Sequence, residues 1–89
     1  MDFDWSPKKE RDNIDKHGVD FVQAQKAWDD PDHIIYRDKK HIKRGKEVRK
    51  FCIDHDGRGV LTVRFVNRDH KVRIFGAGYW YFGRELYYE

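Results

Sequence analysis

Three short apolar segments joined by turn sequences restrict the fold of this chain more than any other feature. The segments are EVRKFCIDH, VLTVRFV and KVRIF, and the connections between them contain DGRG and NRDH. Apolar and polar residues alternate along the last two segments, as they do in strands that bury one face. Because short, turn-rich connections join antiparallel neighbours, the pattern predicts a meander with strands at Glu47–His55, Val60–Val66 and Lys71–Phe75.

Helix signals occupy the segment before the meander. The dipeptide Ser6–Pro7 favours a helix start, and the glycine at position 18 should end this first helix soon after Lys16. The sequence DFVQ (Asp20–Gln23) matches a capping box, an N-cap side chain followed three residues later by glutamine. A second helix is therefore predicted to run from there to about Trp28.

The remaining segments complete one predicted domain, residues 1–89. A short strand is expected at His33–Arg37, and the aromatic tail Tyr79–Tyr88 should form a closing helix. Phe3 and Trp5 suit either a short strand or a packed entry segment. The predicted class is α+β, with two N-terminal helices, an antiparallel sheet of three to four strands and a C-terminal helix, the helices lying on one face of the sheet.

Composition favours a folded protein with no disulfide and no membrane segment. The charged fraction of 39% and the mean hydropathy of −1.03 suggest disorder by themselves, but an aromatic fraction of 16% indicates a core of large side chains. A single cysteine excludes an internal disulfide, and no apolar run approaches the roughly 20 residues of a membrane helix. The expected location is cytoplasmic. Neither a metal nor a cofactor is expected, because the five histidines lack metal-site spacing with cysteine.

The alternation in the last two strands predicts how they pair. If Arg68 and Asp69 form a two-residue turn, residue 65 pairs with 72 and the apolar faces match. Arg64 then lies directly opposite Arg73, with Cβ atoms ~5 Å apart. Two guanidinium groups held in this way repel each other unless an anion lies between them.

The preceding hairpin leaves two alternatives open. A two-residue turn at Asp56–Gly57 places residue 49 opposite 64, which aligns Arg49, Arg64 and Arg73 in a row across three strands. A three-residue loop reverses the parity of the pairing and sends Arg49 toward the helix-covered side of the sheet.

Four segments of the chain form a combination specific enough to indicate a family. They are FDWSPKKERDNIDKHGVDFVQA, EVR, NRDHKVRIFGA and RELYYE. Together they resemble the BrnT family, with its opening W-D-x-x-K…N…K-H-G-V-x-F, its E-x-R element, and its closing R-x-x-x-x-R-I-I-S-A-R and R-x-x-Y-E patterns. The resemblance implies a RelE-like fold and the activity of a ribonuclease toxin from a bacterial toxin–antitoxin pair. It also implies RNA as substrate and a BrnA-like antitoxin as partner.

The chain matches some family residues and departs from others. Arg49, Arg68 and Arg73 match family arginines, whereas Arg64 rests only on the predicted register. Glycines stand at 76 and 78, where the family pattern has a serine and an arginine, and a valine stands at 66, where a threonine is common. These glycines are expected to let the chain turn sharply from strand to helix.

Metal-free RNA cleavage needs a proton acceptor, a proton donor and fixed cations beside the phosphate. The catalytic candidates are Arg49, Arg73, Arg64, Glu47 and Tyr87, the last by analogy with RelE-like toxins. The RNA-binding candidates, for backbone phosphates and for base stacking, are Lys46, Arg68, Lys71 and Trp80.

Other readings of these residues stay open. The alternative for Arg49, Arg64 and Arg73 is that they are strand residues paired with Glu47, Asp54 or Glu85, because surface arginines are common. In the tail, the helical spacing of Tyr79, Phe82 and Leu86 predicts a face that packs on the sheet. The second functional hypothesis is a non-catalytic binding module that partners an antitoxin or nucleic acid, and the glycines at 76 and 78 motivate it.

Overall fold

The computed structural model describes residues 1–38 and 47–89, and it has the predicted α+β class. The RNA-binding candidate Lys46 lies outside the described residues. Within these ranges the elements are β1 (Asp2–Trp5), α1 (Pro7–His17), α2 (Phe21–Gln25), a 3₁₀ helix (Lys26–Asp29), β2 (Ile34–Arg37), β3 (Lys50–His55), β4 (Val60–Arg68), β5 (Lys71–Gly78) and α3 (Tyr81–Tyr87). None of the helices in these ranges combines the length and apolarity needed to cross a bilayer.

The ends of α1 follow from local chemistry and confirm the prediction. The Ser6 hydroxyl accepts a hydrogen bond from the Lys9 N–H at 3.3 Å, which satisfies one free donor of the first turn. Gly18 takes the left-handed conformation, with φ of 69°, and its N–H donates to the Ile14 carbonyl.

The second helical segment starts where the capping signal predicts but changes type along its length. The Asp20 carboxylate accepts a hydrogen bond from the Gln23 N–H at 2.7 Å. The α-helix ends at Gln25 and continues as the 3₁₀ helix, which contains Trp28. The Trp28 ring packs edge-on against Phe65 at 5.0 Å between centroids, so this segment covers the sheet.

The sheet has five strands in the order β1-β5-β4-β3-β2, rather than three to four. The extra strand is β1, which pairs in parallel with β5 and places Phe3 beside Val72. The other neighbours are antiparallel, as predicted. The pairing of β1 with β5 was not predicted, because a segment of four residues contains no local pattern that indicates a distant partner strand.

Helices cover both faces of the sheet, so the prediction of helices on one face is wrong. Cys52 belongs to the main core together with residues of α2, while its neighbours Phe51 and Ile53 belong to a second cluster with Leu86 of α3. Consecutive strand residues point to opposite faces. Since three in a row are buried in β3, both faces need a cover, and α3 supplies the second one.

The β4–β5 pairing differs from the predicted register. The turn residues are Asp69 and His70, both with positive φ (53° and 63°), and this moves the turn one residue along the chain. Val66 therefore pairs with Arg73, and a bulge then brings Arg64 opposite Gly76. The predicted opposition of Arg64 and Arg73 is wrong, because the turn and the bulge both shift the strands.

The β3–β4 hairpin has a loop of residues 56–59 between the paired residues His55 and Val60, which matches neither predicted loop length. Phe51 pairs with Arg64, and Arg49 precedes the strand. The row of three arginines in successive strands is therefore not formed.

The aromatic tail also differs from prediction. Tyr79 lies before α3, and its hydroxyl donates to the Asp56 carboxylate and accepts from the Gln23 side chain. Leu86 packs in the second cluster, while Phe82 stays 40% exposed. The predicted face of three residues is thus replaced by a shorter helix that starts after Trp80.

Candidate functional site

A cleft of about 1250 Å³ lies on the α3 face of the sheet. Its basic residues are Arg49 and Arg64, and Trp80 stands beside them. The remaining lining residues come from β2, β3 and α3 and the segments next to them: Tyr36, Asp38, Phe51, Tyr81, Phe82, Glu85, Leu86 and Glu89. We call this space the arginine cleft.

Arg49 and Arg64 converge on one aromatic ring, although they are not neighbours in the sheet. Their Cζ atoms lie 5.3 Å and 5.4 Å from the centroid of Phe75. The Arg64 Cζ also lies 4.9 Å from the ring of Trp80. All three distances are those of cation–π contacts, and two of them belong to Arg64, so two rings hold its guanidinium group.

Two glycines of β5 make this arrangement sterically possible. A Cβ on Gly76 would lie 2.7 Å from both Nε and Nη2 of Arg64. A Cβ on Gly78 would lie 2.6 Å from Cε2 of Trp80. Both glycines are inside β5, and neither has a positive φ, so the predicted sharp turn at these positions is wrong. They instead allow side chains to approach the backbone closely.

The two arginines form a cationic site inside a cleft whose lining also includes three carboxylates, Asp38, Glu85 and Glu89. Within residues 1–38 and 47–89 the ion pairs involve Lys8, Arg68 and Arg73, and neither Arg49 nor Arg64 takes part in one. The Nε of Arg64 is buried without a hydrogen-bond partner in this part of the chain. Burial, and then the charge of Arg49, lowers the pKa of Arg64. An oxyanion in the cleft would relieve both effects.

The other two predicted strand arginines are neutralised by carboxylates. Arg68 forms a two-pronged contact with Glu47, with distances of 2.6 Å (Nε–Oε2) and 2.7 Å (Nη2–Oε1). That hydrogen bond holds the pKa of Glu47 below its usual value. The Nη1 of Arg73 lies 3.3 Å from Oδ2 of Asp4 in β1. The ion-pair alternative thus describes Arg73, though with Asp4 as an unforeseen partner.

The remaining predicted residues fall in different places. Trp80 lines the arginine cleft, whereas Lys71 is exposed beside the β4–β5 turn. Tyr87 does not line the cleft; its ring lies 6.4 Å from that of His55, in the second cluster. Partial desolvation and then the charge of Asp30 raise the pKa of Tyr87.

Several residues of the site were not predicted from the sequence. Phe75, the ring that both arginines contact, was expected only as the end of a strand, and its position depends on the bulge. Tyr36 lies in the edge strand β2, and Tyr81 is 70% exposed. A usable signal did exist for Tyr81 and Glu85, because their spacing of four places them on one helix face away from Leu86.

An α+β domain in which two arginines of an aromatic cleft have no ion pair among the described residues defines the class of a small basic protein with an anion site. Residues 5–81 match the family model described as the ribonuclease toxin, BrnT, of a type II toxin–antitoxin system. The chain belongs to this BrnT family, so the expected resemblance is confirmed. The family is one of ribonuclease toxins, and a type II system implies an antitoxin partner. None of the curated proteins compared with the sequence matches it significantly.

Proposed function

We propose that this chain is a cytoplasmic endoribonuclease toxin that inhibits translation and growth, and that Arg49 and Arg64 hold the scissile phosphate. The observation that carries the proposal is the convergence of these two guanidinium groups on Phe75 without a carboxylate partner among the described residues. We further propose that a BrnA-like antitoxin neutralises the toxin by covering this surface, within a RelE-like arrangement.

The chemistry of the proposed reaction suits fixed arginines. When the 2′-oxygen attacks the phosphorus, negative charge accumulates on the non-bridging oxygens, and preorganised cations stabilise that charge. Arginine stays protonated and offers planar donors that match two oxygens of a phosphate. The rings around Arg64 hold its guanidinium in place before the substrate arrives. We therefore propose cleavage that does not depend on a metal ion.

Proton transfer is assigned to the predicted Glu47 and Tyr87 as working candidates. The two hydrogen bonds from Arg68 stabilise the ionised carboxylate of Glu47, so release of Arg68 would make Glu47 a stronger proton acceptor. Arg68, Arg73 and Lys71 would contribute contacts to the RNA backbone outside the cleft. Binding should consequently weaken as salt rises.

A non-catalytic module that binds an antitoxin or nucleic acid is the second candidate. The specific observation in its favour is that neither Glu47 nor Tyr87 lines the arginine cleft. Tight partner binding by a protein that leaves RNA intact would support this second candidate.

The test compares the purified protein with Arg49→Ala and Arg64→Ala on single-stranded RNA, with and without EDTA. The matched control is Arg58→Ala, an exposed arginine in the 56–59 loop that does not line the cleft. We expect each cleft variant to lower kcat/KM by about 100-fold, the effect of losing one charge-stabilising donor, with unchanged far-UV circular dichroism. The control and EDTA should leave the rate unchanged.

Growth arrest on expression provides the second readout. Both cleft variants should relieve the arrest, and Arg58→Ala should not. Intact RNA after incubation with the wild-type protein, or equal rates for all three variants, would refute the assignment of the phosphate site.

A further inference from the structure

The α3 wall of the arginine cleft carries an open aromatic ring and a carboxylate that phosphate binding does not use. These are Tyr81 and Glu85, four residues apart in α3, and both line the cleft with Arg49 and Arg64. Side chains at this spacing are neighbours on one helix face. We propose that Tyr81 and Glu85 form a nucleobase subsite that selects guanine next to the scissile phosphate of single-stranded RNA. This inference rests on the proposed function.

Tyr81 is the cleft aromatic best suited to stacking. The Tyr36 ring stacks on Phe51 at 6.4 Å, and the Trp80 ring is occupied by Arg64 and lies parallel to Phe82. Tyr81 is 70% exposed, and in the described part of the chain it makes no ring contact. An open ring is what an unstacked base requires, and such stacking contributes about 1–3 kcal/mol per base.

Glu85 supplies the hydrogen-bond acceptors of the proposed subsite. It is exposed and makes no ion pair within residues 1–38 and 47–89. An ionised carboxylate only accepts hydrogen bonds, through two adjacent oxygens. Guanine presents two adjacent donors on its Watson–Crick edge, N1–H and N2–H₂, whereas each other base places an acceptor beside its donor. The match therefore favours guanine.

The same features favour single-stranded RNA over a duplex or a protein. Bases in a duplex are stacked and paired, so their Watson–Crick edges and faces cannot reach a side chain. The phosphate and the base of one nucleotide are covalently joined, and the cleft places cations and an open ring in the same space. A protein segment would need no such combination of two guanidinium groups with a guanine-matched carboxylate.

The stacking half of the proposal is tested with Tyr81→Leu, Tyr81→Phe and the control Tyr88→Leu. Tyr88 follows the last residue of α3, is 66% exposed and does not line the cleft. We expect Tyr81→Leu to raise KM for a guanine-containing oligonucleotide about tenfold. Tyr81→Phe and Tyr88→Leu should keep the wild-type KM, because the first retains the ring and the second lies outside the cleft.

Recognition of the guanine edge by Glu85 is tested with Glu85→Gln on oligonucleotides that carry guanine, inosine or adenine at the cleavage position. Inosine lacks the N2 amino group, so it removes one donor. We expect wild type to prefer guanine over inosine and adenine by about tenfold in kcat/KM, and Glu85→Gln to lose that preference.

The outcomes separate this inference from the proposed function. The subsite alone is overturned if the wild-type protein cleaves RNA and needs Arg64, but Tyr81→Leu keeps the wild-type KM and Glu85→Gln keeps the wild-type base preference. An equal fall of kcat on all three RNAs in Glu85→Gln would make Glu85 a proton acceptor and also overturn base reading. If Tyr81→Leu weakens only antitoxin binding, the surface is a protein interface. A wild type that neither binds nor cleaves RNA overturns the proposed function itself.

Discussion

Arg64 and Gly76 face each other across β4 and β5, and the guanidinium group of the arginine occupies the space that a side chain on the glycine would need. The bulge next to this pair also moves Phe75 under the same guanidinium. The serine of the BrnT pattern at this position would therefore collide with Arg64. The glycine and the arginine are linked features of the cleft in this chain.

Gly76→Ser should reduce activity more than stability. The new Cβ would lie 2.7 Å from the end of a flexible side chain, which can move away from Phe75 and Trp80 at little cost in folding free energy. We expect kcat/KM on RNA to fall about tenfold while the free energy of unfolding changes by less than about 1 kcal/mol. Gly59→Ala is the control, because its Cβ would meet only Tyr79, at 3.6 Å. Wild-type activity in Gly76→Ser would show that the position of Arg64 does not matter.

Gly83→Ala should destabilise the fold, because a Cβ at this position of α3 would collide with the sheet. Its Cβ would lie 1.8 Å from Oγ1 and 3.1 Å from Cβ of Thr62, which is fully buried. We expect a loss of about 1–3 kcal/mol in urea unfolding. Thr62→Ala removes the colliding hydroxyl, which lacks a partner among the described residues, and should recover part of the loss in the double variant. Strictly additive effects of the two substitutions would contradict the collision.

Asn13 should be important for stability, because it joins α1 to β5 beside the cleft glycines. Its buried amide donates to the carbonyls of Val19 and Ala77, both at 2.9 Å, and accepts from the Ala77 N–H at 3.1 Å. Asn13→Ala leaves these buried groups without partners, and we expect a loss of about 3 kcal/mol by thermal or urea unfolding. Asp15→Ala, at an exposed site on the same helix, is the control and should be near neutral. A similar small effect for both would refute this role.

The stability of the protein should depend on pH through Asp54. Burial, followed by the charges of Asp56 and Asp30, raises the pKa of this carboxyl to about 6, above its unfolded value of about 3.9. The folded state therefore holds the proton more tightly, so the stabilising contribution is complete below about pH 4 and is lost as the pH rises through 6. Relative to Asp54→Asn, wild type should lose on the order of 2 kcal/mol between pH 4 and pH 7.5 in urea unfolding. A constant difference between the two proteins across this range would contradict the prediction.

Much of the local structure could be read directly from the sequence. The ends of α1 follow from Ser6, Pro7 and Gly18, because capping and left-handed geometry depend on residues only a few positions apart. The approximate positions of the antiparallel strands were also correct, since alternation and turn residues are local signals. The family expected from the motifs was confirmed by a match over residues 5–81.

The candidate site was predicted only in part. The sequence indicates Arg49, Arg64 and Trp80 as site residues, and all three line the cleft. Their arrangement was not predicted, because a turn shifted by one residue and a bulge decide which side chains meet.

The sequence by itself determined the α+β class, the caps of α1, the local strand signals and the family. Only the tertiary structure decided that α3 covers the second face, that Asp4 neutralises Arg73, and that Arg64 lies over Gly76. The physical reason is the range of the interactions. Helix ends and alternation depend on neighbours in the chain, whereas strand register and charge pairing depend on which distant segments pack together.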